Sequence, residues 1–348
     1  MNVKIQENVP LAELTTFKIG GSARYFVEIN NTSELEEVFN WIETKDVEYF
    51  ILGGGSNTIF SDEPYDGIVI KMNIMGFEVI GEDGSSALIK VGAGEDWDKT
   101  VERTVEMNLS GMEALSGVPG NTGATPVQNI GAYGQEVKDT IEYVEAFDTK
   151  ERKIVKLSND ECKFSYRDSI FKSSEKGRYI ICFVDFRLSK KQINIPQYKD
   201  VISYFDERGI DSPSLQQIRE AILEIRKNKF VNPSVMPNAG SFFKNPTVAK
   251  EIAEKIMLKY PDIKPYPEDT KIFPNPDGTY KLAAGWLIQE AGFKGVEFEK
   301  VRIDPNHALV LENKGDASQK DLMELVEKVR SKVLDIFGVE LEIEPVVL

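Results

Sequence analysis

Between Ser116 and Gly134 the chain reads SGVPGNTGATPVQNIGAYG, five glycines in nineteen residues and no charged side chain. Each glycine costs a helix about 1 kcal/mol relative to alanine and each proline about 3, so two prolines and five glycines exclude a helix. No alternation of apolar and polar residues marks a strand. The segment is therefore a long loop inside a folded domain, and such loops are usually functional or disordered. Many backbone N–H groups and little side-chain bulk suit close packing against a long polar ligand. A packing loop between domains is the alternative that composition leaves open.

Ordinary α/β patterning surrounds this loop. TFKIGGSARYFVEI (16–29) reads as extended segments around a Gly-Gly turn. A helix follows, with Ser33 and Glu36 in a capping-box spacing and Leu35, Val38, Phe39 and Ile42 on one face. YFILGGGSNTIF (49–60) is a strand entering and leaving a glycine turn, and the strand–helix–strand order makes a small α/β unit. ALIKVGAGEDW (87–97) is a strand entering a second glycine turn, and a helix is predicted from Glu95 to Met107. Strands are predicted near 141–156 and 178–188. The polar stretch 189–213 reads as an insertion. Ser214 and Gln217 then cap a helix carrying Leu215, Ile218, Ile222 and Ile225. Residues 231–238 look like a linker, helices are predicted near 247–260 and 281–291, and Leu322, Leu325, Val326, Val329 and Val333 stripe a last helix over 318–336. The tail GVELEIEPVVL reads as a strand.

The formal net charge of −15 argues against general nucleic-acid binding, which needs a basic face. No run approaches the roughly 18 apolar residues of a membrane span, and no apolar leader opens the sequence, so a cytoplasmic protein without membrane attachment is expected. Two cysteines, Cys162 and Cys182, and one histidine, His307, leave no set of ligands for a structural zinc and no disulfide framework, and no metal is expected.

Four further motifs offer chemistry. GGGSN (Gly53, Gly54, Gly55, Ser56, Asn57) follows an apolar strand, where glycines let amides approach an anion; a plain β-turn is the alternative. SYRDSIFK offers Arg167 as a planar fork for a carboxylate or phosphate, with Asp168 placed to orient it; an exposed ion pair of little consequence is the alternative. AGSFFKNP presents Ser241 on a small-residue turn; a turn with a buried Phe pair is the alternative. In the tail, Glu342 and Glu344 share one face of a strand, and at least one of them is expected to be solvated.

Taken in order, TTFKIGGSARYF, ILGGGSN, VGAGEDW, PGNTGATPVQNIGAYG, CKFSYRDSIFK, AGSFFKNP and KLAAGWLIQEAG resemble the UDP-N-acetylenolpyruvoylglucosamine reductase family over nearly the whole chain. The resemblance implies an α/β (α+β) fold of the vanillyl-alcohol-oxidase type. Two α/β domains (1–74 and 75–230) hold non-covalent FAD, and a third (231–339) binds substrate, with 340–348 returning to the FAD-binding part. An insertion at about 190–213 resembles a family subtype in which a Tyr, here Tyr198, covers the nucleotide substrate. The implied reaction passes a hydride from NADPH through FAD to the enolpyruvyl UDP-sugar, giving UDP-N-acetylmuramate for peptidoglycan synthesis, in a monomer.

By the same resemblance, Gly53 to Asn57 hold the FAD diphosphate, with Gly117, Pro119, Gly120, Gly123, Ala124, Ile130, Gly131, Ala132, Tyr133 and Gly134 forming much of the rest of the FAD site. Ser241 matches the proton donor, Arg167 the carboxylate clamp and Glu344 the acid. Tyr166, Tyr198, Lys229, Lys244, Asn245 and Glu290 match substrate-binding positions. The family's usual ending, Glu-Val and a basic residue before a short apolar run closed by Gly, gives way here to EPVVL, so Glu342 is the register alternative to Glu344. His307, far from the FAD motifs in sequence, is expected to be structural. Another FAD-dependent sugar or lactone oxidoreductase of the same fold would be expected to lack SYRDSIFK together with AGSFFKNP. A non-catalytic nucleotide-binding protein would be expected to lose the Ser, Arg or Glu.

Overall fold

The computed structural model describes residues 3–191, 193–266 and 270–348; Gln192, inside the expected insertion, lies outside them. The chain packs as two compact units. The first contains Met1–Val9, Ser22–Gly55 and Tyr65–Asn228, and the second Pro10–Gly21, Ser56–Pro64 and Lys229–Leu348.

In the first unit, β1 (Gln6–Pro10), β2 (Ser22–Ile29), β3 (Glu48–Leu52) and β4 (Tyr65–Met72) form a sheet in the order β1-β2-β4-β3. β4 runs parallel to both β2 and β3. Helix α1 (Ser33–Lys45) links β2 to β3 and buries Leu35, Val38, Phe39 and Ile42, the expected stripe. The expected Ser33–Glu36 box does not form. Thr32 stands at the N-cap with no side-chain bond, and Glu34 accepts instead from the amides of Asn30 and Asn31. With Thr32 at the cap the third helical residue is Leu35, so Ser33 and Glu36 stand one residue out of register for a capping box.

A second sheet is antiparallel throughout. It comprises β5 (Phe77–Glu82), β6 (Ser86–Gly92), β7 (Ile141–Asp148), β8 (Lys153–Ser158) and β9 (Tyr179–Ser189) in the order β8-β7-β9-β6-β5. Helix α2 (Trp97–Glu106) begins two residues later than expected, because the Asp96 side chain caps it by accepting from Lys99 N at 2.9 Å. Trp97, Val101 and Val105 join Val144, Val184 and Phe186 in one core with the α1 stripe.

The polar stretch 189–213 contains a helix, α3 (Lys199–Asp206), whose Val201 and Phe205 are buried against Ile218, Ile222 and Ile225 of α4 (Leu215–Lys229). Ser214 and Gln217 close the expected reciprocal cap on α4 at 3.2 and 2.9 Å.

The second unit is built on β10 (Asn238–Ser241), β11 (Val301–Ile303) and β12 (Val310–Asn313). β12 pairs antiparallel with both of the others. Helices α5 (Lys250–Lys259), α6 (Ala284–Glu290) and α7 (Gln319–Phe337) pack around it. Ser318 and Asp321 form a capping box at the start of α7, and Gly338 ends the helix at φ 66°. Its buried face is Leu322, Leu325, Val326, Val329, Val333 and Phe337. Among the described residues no helix is long and apolar enough to cross a membrane.

Leu325 is 1% exposed at the centre of that stripe. Leu325→Ala is expected to cost about 3 kcal/mol in urea denaturation. A loss within about 0.5 kcal/mol, the range of surface changes, would contradict this placement of the core.

Candidate active site

The glycine loop of the first unit is fastened from outside itself. Gly117 N donates to Asp98 Oδ1 at 2.6 Å, and Arg226 Nε donates to Gly117 O at 3.1 Å. Asp98 is gripped in turn by both Nη atoms of Arg219, at 2.6 and 2.9 Å, and Arg219 is 4% exposed. Burial alone would raise the Asp98 carboxyl, but Arg219 and the Gly117 amide hold it below its ordinary value. At the loop's other end Asn129 is fully buried. Its amide donates to Glu136 at 3.1 Å and to Ser165 O at 2.9 Å, and its oxygen accepts from Lys138 N.

Residues 131–136 form a minimal hairpin, 131–132 against 135–136, turned by Tyr133 at φ 50° and Gly134 at φ 83°. Two successive positive φ angles define a tight primed turn, which glycine tolerates and tyrosine does not favour. The Tyr133 ring meets Tyr198 edge-on at 5.7 Å, and its hydroxyl bonds Arg226. Burial pushes the Tyr133 phenol up and the Arg226 guanidinium down. Tyr198, at the start of α3, is 39% exposed.

The SYRD segment is a two-residue turn closed by reciprocal Ser165–Asp168 backbone bonds, with Tyr166 and Arg167 at its tip. Arg167, at φ 55°, donates from Nη2 to Gly131 O at 2.8 Å. A Cβ on Gly131 would stand 3.2 Å from Arg167 Nη1, so a glycine there lets the fork lie on the loop. The Asp168 carboxylate accepts from Ser169 N at 2.9 Å.

Gly53, Gly54 and Gly55 turn out of β3. A Cβ on Gly54 would meet Asn121 Oδ1 at 2.7 Å and Gly120 Cα at 3.0 Å, both in the glycine loop. Among the described residues neither Gly54 N nor Gly55 N donates to a backbone carbonyl. Available amides in a crowded glycine turn fit a diphosphate, and they fit it without a cationic side chain.

In the second unit Ser241 ends β10, opposite Val310 of β12, after a register shift that begins at Asn238. Asn238 shapes this kink by accepting from Gly240 N, with Gly240 at φ 69°. The tail runs beside the next residues. Lys244 N donates to Glu342 O and Glu344 N to Phe242 O, both at 2.9 Å. It then changes partner: Val346 N donates to Asn57 O, Asn57 Nδ2 reaches Glu344 O at 3.4 Å, and 346–347 run parallel to 58–59. The exposed Glu342 carboxylate pairs with Lys244 Nζ, whereas Glu344 is half-buried. Phe242 and Phe243 are buried, so the Phe pair expected on structural grounds is present alongside Ser241.

The Asn245 side chain caps α6 by accepting from Ala284 N, and Glu290 ends that helix. Lys229 precedes Phe230, whose ring lies 4.7 Å from the His307 ring. Burial, then Lys229, lowers His307 to about 4, so it is neutral and its Nδ1 accepts from Leu309 N. Cys162 and Cys182 are buried in the first unit, where burial pushes both thiols up to about 12. Sequence reasoning singled out neither Asn129, Asp98 nor Arg226. Each acts through a partner distant in sequence, and no local pattern announces it.

The sequence model of the FAD binding domain family matches residues 23–158, so this is a flavoprotein fold. The model described as UDP-N-acetylenolpyruvoylglucosamine reductase, C-terminal domain, matches residues 232–348. A protein of that name from Bdellovibrio bacteriovorus is 40% identical, with 99% of each chain covered. One from Flavobacterium johnsoniae is 37% identical over 98% of this chain and 99% of its own. The crystal structure of UDP-N-acetylenolpyruvylglucosamine reductase from Thermus caldophilus has the same fold, with a TM-score of 0.67 over 100% of this chain and 99% of that one at 24% identity. The chain belongs to the UDP-N-acetylenolpyruvoylglucosamine reductase family.

Gly54→Ala is expected to weaken FAD binding by about tenfold or more, about 1.4 kcal/mol, with the circular dichroism spectrum unchanged. Fluorescence titration with FAD checks this, and an unchanged affinity would remove the turn from the cofactor site.

Proposed function

We propose that the protein reduces the enolpyruvyl ether of UDP-N-acetylglucosamine to UDP-N-acetylmuramate, a precursor of peptidoglycan, with NADPH as the hydride donor and non-covalent FAD as the carrier. Family membership over the whole chain supports the reaction. The observation that carries the mechanism is Ser241 at a kinked strand end whose following residues are hydrogen-bonded to the segment bearing Glu344.

Residues 1–74 and 75–230 hold the cofactor in this reading, and 231–339 the substrate. Amides of Gly53 to Asn57 receive the FAD diphosphate. The loop from Gly117 to Gly134, including Pro119, Gly120, Gly123, Ala124 and the Ile130–Gly134 hairpin, lines the rest of the site. When bound, FAD would supply the two-electron chemistry that couples NADPH oxidation to reduction of the enolpyruvyl group at C3. Negative charge then develops at C2 and spreads into the substrate carboxylate. Arg167 binds that carboxylate, and its planar fork matches two oxygens at once. Such a contact strengthens as charge develops and so favours the transition state over the ground state.

Ser241 Oγ–H delivers the proton to C2. A serine hydroxyl is a weak acid in water, but a carbanion is a stronger base than any alkoxide it leaves behind. Glu344 assists as the acid on the other side of the reacting carbon. Glu342 is the less suitable candidate, because it is exposed and already paired with Lys244. Tyr166, Lys229, Lys244, Asn245 and Glu290 hold the UDP-sugar, and Tyr198 covers it. NADPH and the UDP-sugar are charged and do not cross membranes unaided, which supports a cytoplasmic site of action; the protein acts as a monomer.

Ser241→Ala is expected to leave flavin reduction by NADPH intact and to slow reoxidation by the enolpyruvyl nucleotide by about a hundredfold or more in stopped flow, the usual worth of a proton donor. Equal damage to both half-reactions would refute the donor role. Glu344→Gln is expected to slow reoxidation more than Glu342→Gln does. The reverse order would put the acid at Glu342.

A further inference from the structure

Next to the strand that ends in Ser241 lies a pair of buried carboxyl groups that the proposed mechanism does not use. In the β11–β12 ladder Arg302 faces Glu312 and Ile303 faces Leu311, while Asp304 N donates to Val310 O at 2.9 Å. Arg302, Asp304 and Glu312 therefore share one face, with Asp304 diagonal to Glu312, and the alternate residues Val301, Ile303 and Leu311 enter the core with α7.

Asp304 and Glu312 are each 0% exposed. Arg302 Nε donates to Glu312 Oε2 at 2.5 Å and also reaches Glu297, which Lys314 holds as well. Asp304 Oδ1 accepts from Asn306 N at 2.5 Å and from His307 N at 3.0 Å. The remaining oxygens, Asp304 Oδ2 and Glu312 Oε1, are buried and have no donor among the described residues. Arg302 is the cation on Glu312, no cation pairs with Asp304 among the described residues, and two like charges so placed do not both persist without a further partner.

We propose that Asp304 and Glu312 share a single proton between Oδ2 and Oε1, and that this bond positions the 304–309 loop against the strand carrying Ser241. The inference rests on Ser241 being the proton donor. The coupling is short. Leu309 O accepts from Phe242 N at 2.8 Å, Val310 stands opposite Ser241, and Glu312 stands opposite Asn238, the residue that shapes the kink. One oxygen of Asp304 organises the loop and the other holds the proton, which makes both acids positioning residues rather than catalytic ones.

Burial first, then the facing Asp304 carboxyl, raises Glu312 above the ordinary carboxylate range, with Arg302 opposing. The other neighbours do not alter the direction. Asn238 is neutral, Glu297 acts only through Arg302, and Lys229 and Lys294 act on a neutral His307. A raised native value means that the native protein binds the proton more tightly than the unfolded chain. Stability therefore falls as pH rises from the ordinary carboxylate range to the raised value, then levels off. Flavin reoxidation falls as the native proton itself is lost.

Asp304→Asn tests this, because the amide oxygen keeps both loop bonds and its N–H replaces the shared proton permanently. In the FAD-loaded enzyme, the wild-type melting temperature and the rate of reoxidation by the enolpyruvyl nucleotide are both expected to decline with pH above the ordinary carboxylate range. In Asp304→Asn both declines should be absent, with flavin reduction by NADPH alike in the two proteins. Superimposable pH profiles for wild type and variant would overturn the proposal. A melting profile that flattens while the reoxidation profile does not would overturn the coupling to Ser241. A failure of the site reading itself would appear separately, as an unaffected Ser241→Ala. If the variant does not fold, infrared spectroscopy of the wild type decides: a buried protonated-carboxyl stretch that persists above the ordinary carboxylate range and is lost on raising the pH further is expected, and its absence would overturn the shared proton.

Discussion

A loop with almost no side chains cannot hold one shape by its own packing, and the first unit depends on how that loop is fixed. Asp98 takes the Gly117 amide, Arg226 takes the Gly117 carbonyl, and Asn129 ties the far end to Ser165 and Lys138. Asp98 is itself locked by an almost fully buried Arg219. Removing one partner of such a pair leaves a charge with no compensation, so the fastening behaves as a unit. The loop's backbone is thereby presented in a fixed form, and its low bulk leaves room for the Arg167 fork on Gly131 and for the Gly54 turn against Asn121.

The second unit fixes the end of a kinked strand at Ser241. The kink from Asn238 to Ser241 depends on a glycine at positive φ and on the Asn238 side chain. The tail then braces the following residues from one side and 58–59 from the other. Ser241 is held by backbone bonds on neighbouring strands, which makes its position insensitive to surface side chains. The charged groups near it are either engaged, as Lys244 is with Glu342, or half-buried, as Glu344 is.

What the sequence made legible was whatever follows a period. The stripes of α1, α4 and α7 and the Ser214–Gln217 cap are local patterns, and they appear where expected. Helix α3 was hidden in a polar stretch because only Val201 and Phe205 of it are buried. The Ser33–Glu36 box failed because the helix begins one residue earlier than that spacing requires, with Thr32 at the cap and Leu35 third in the helix. Asp98, Asn129 and Arg226 escaped notice because their partners lie far along the chain. In the tail, a shared strand face left Glu342 as the register alternative to Glu344; the strand changes partner between Ile343 and Val346, and the two differ in burial. The Asp304–Glu312 pair also has no sequence signature, since it arises only from the register of β11 on β12.

The central claim is that one flavin carries a hydride from NADPH to the enolpyruvyl nucleotide. The most direct measurement is an anaerobic stopped-flow record of the flavin absorbance band in the FAD-loaded wild-type protein, with NADPH added first and the enolpyruvyl nucleotide second. The account predicts bleaching and then rapid recovery with formation of UDP-N-acetylmuramate. Bleaching by NADPH with no recovery until oxygen is admitted would contradict it, and would leave a flavoprotein that acts on something else.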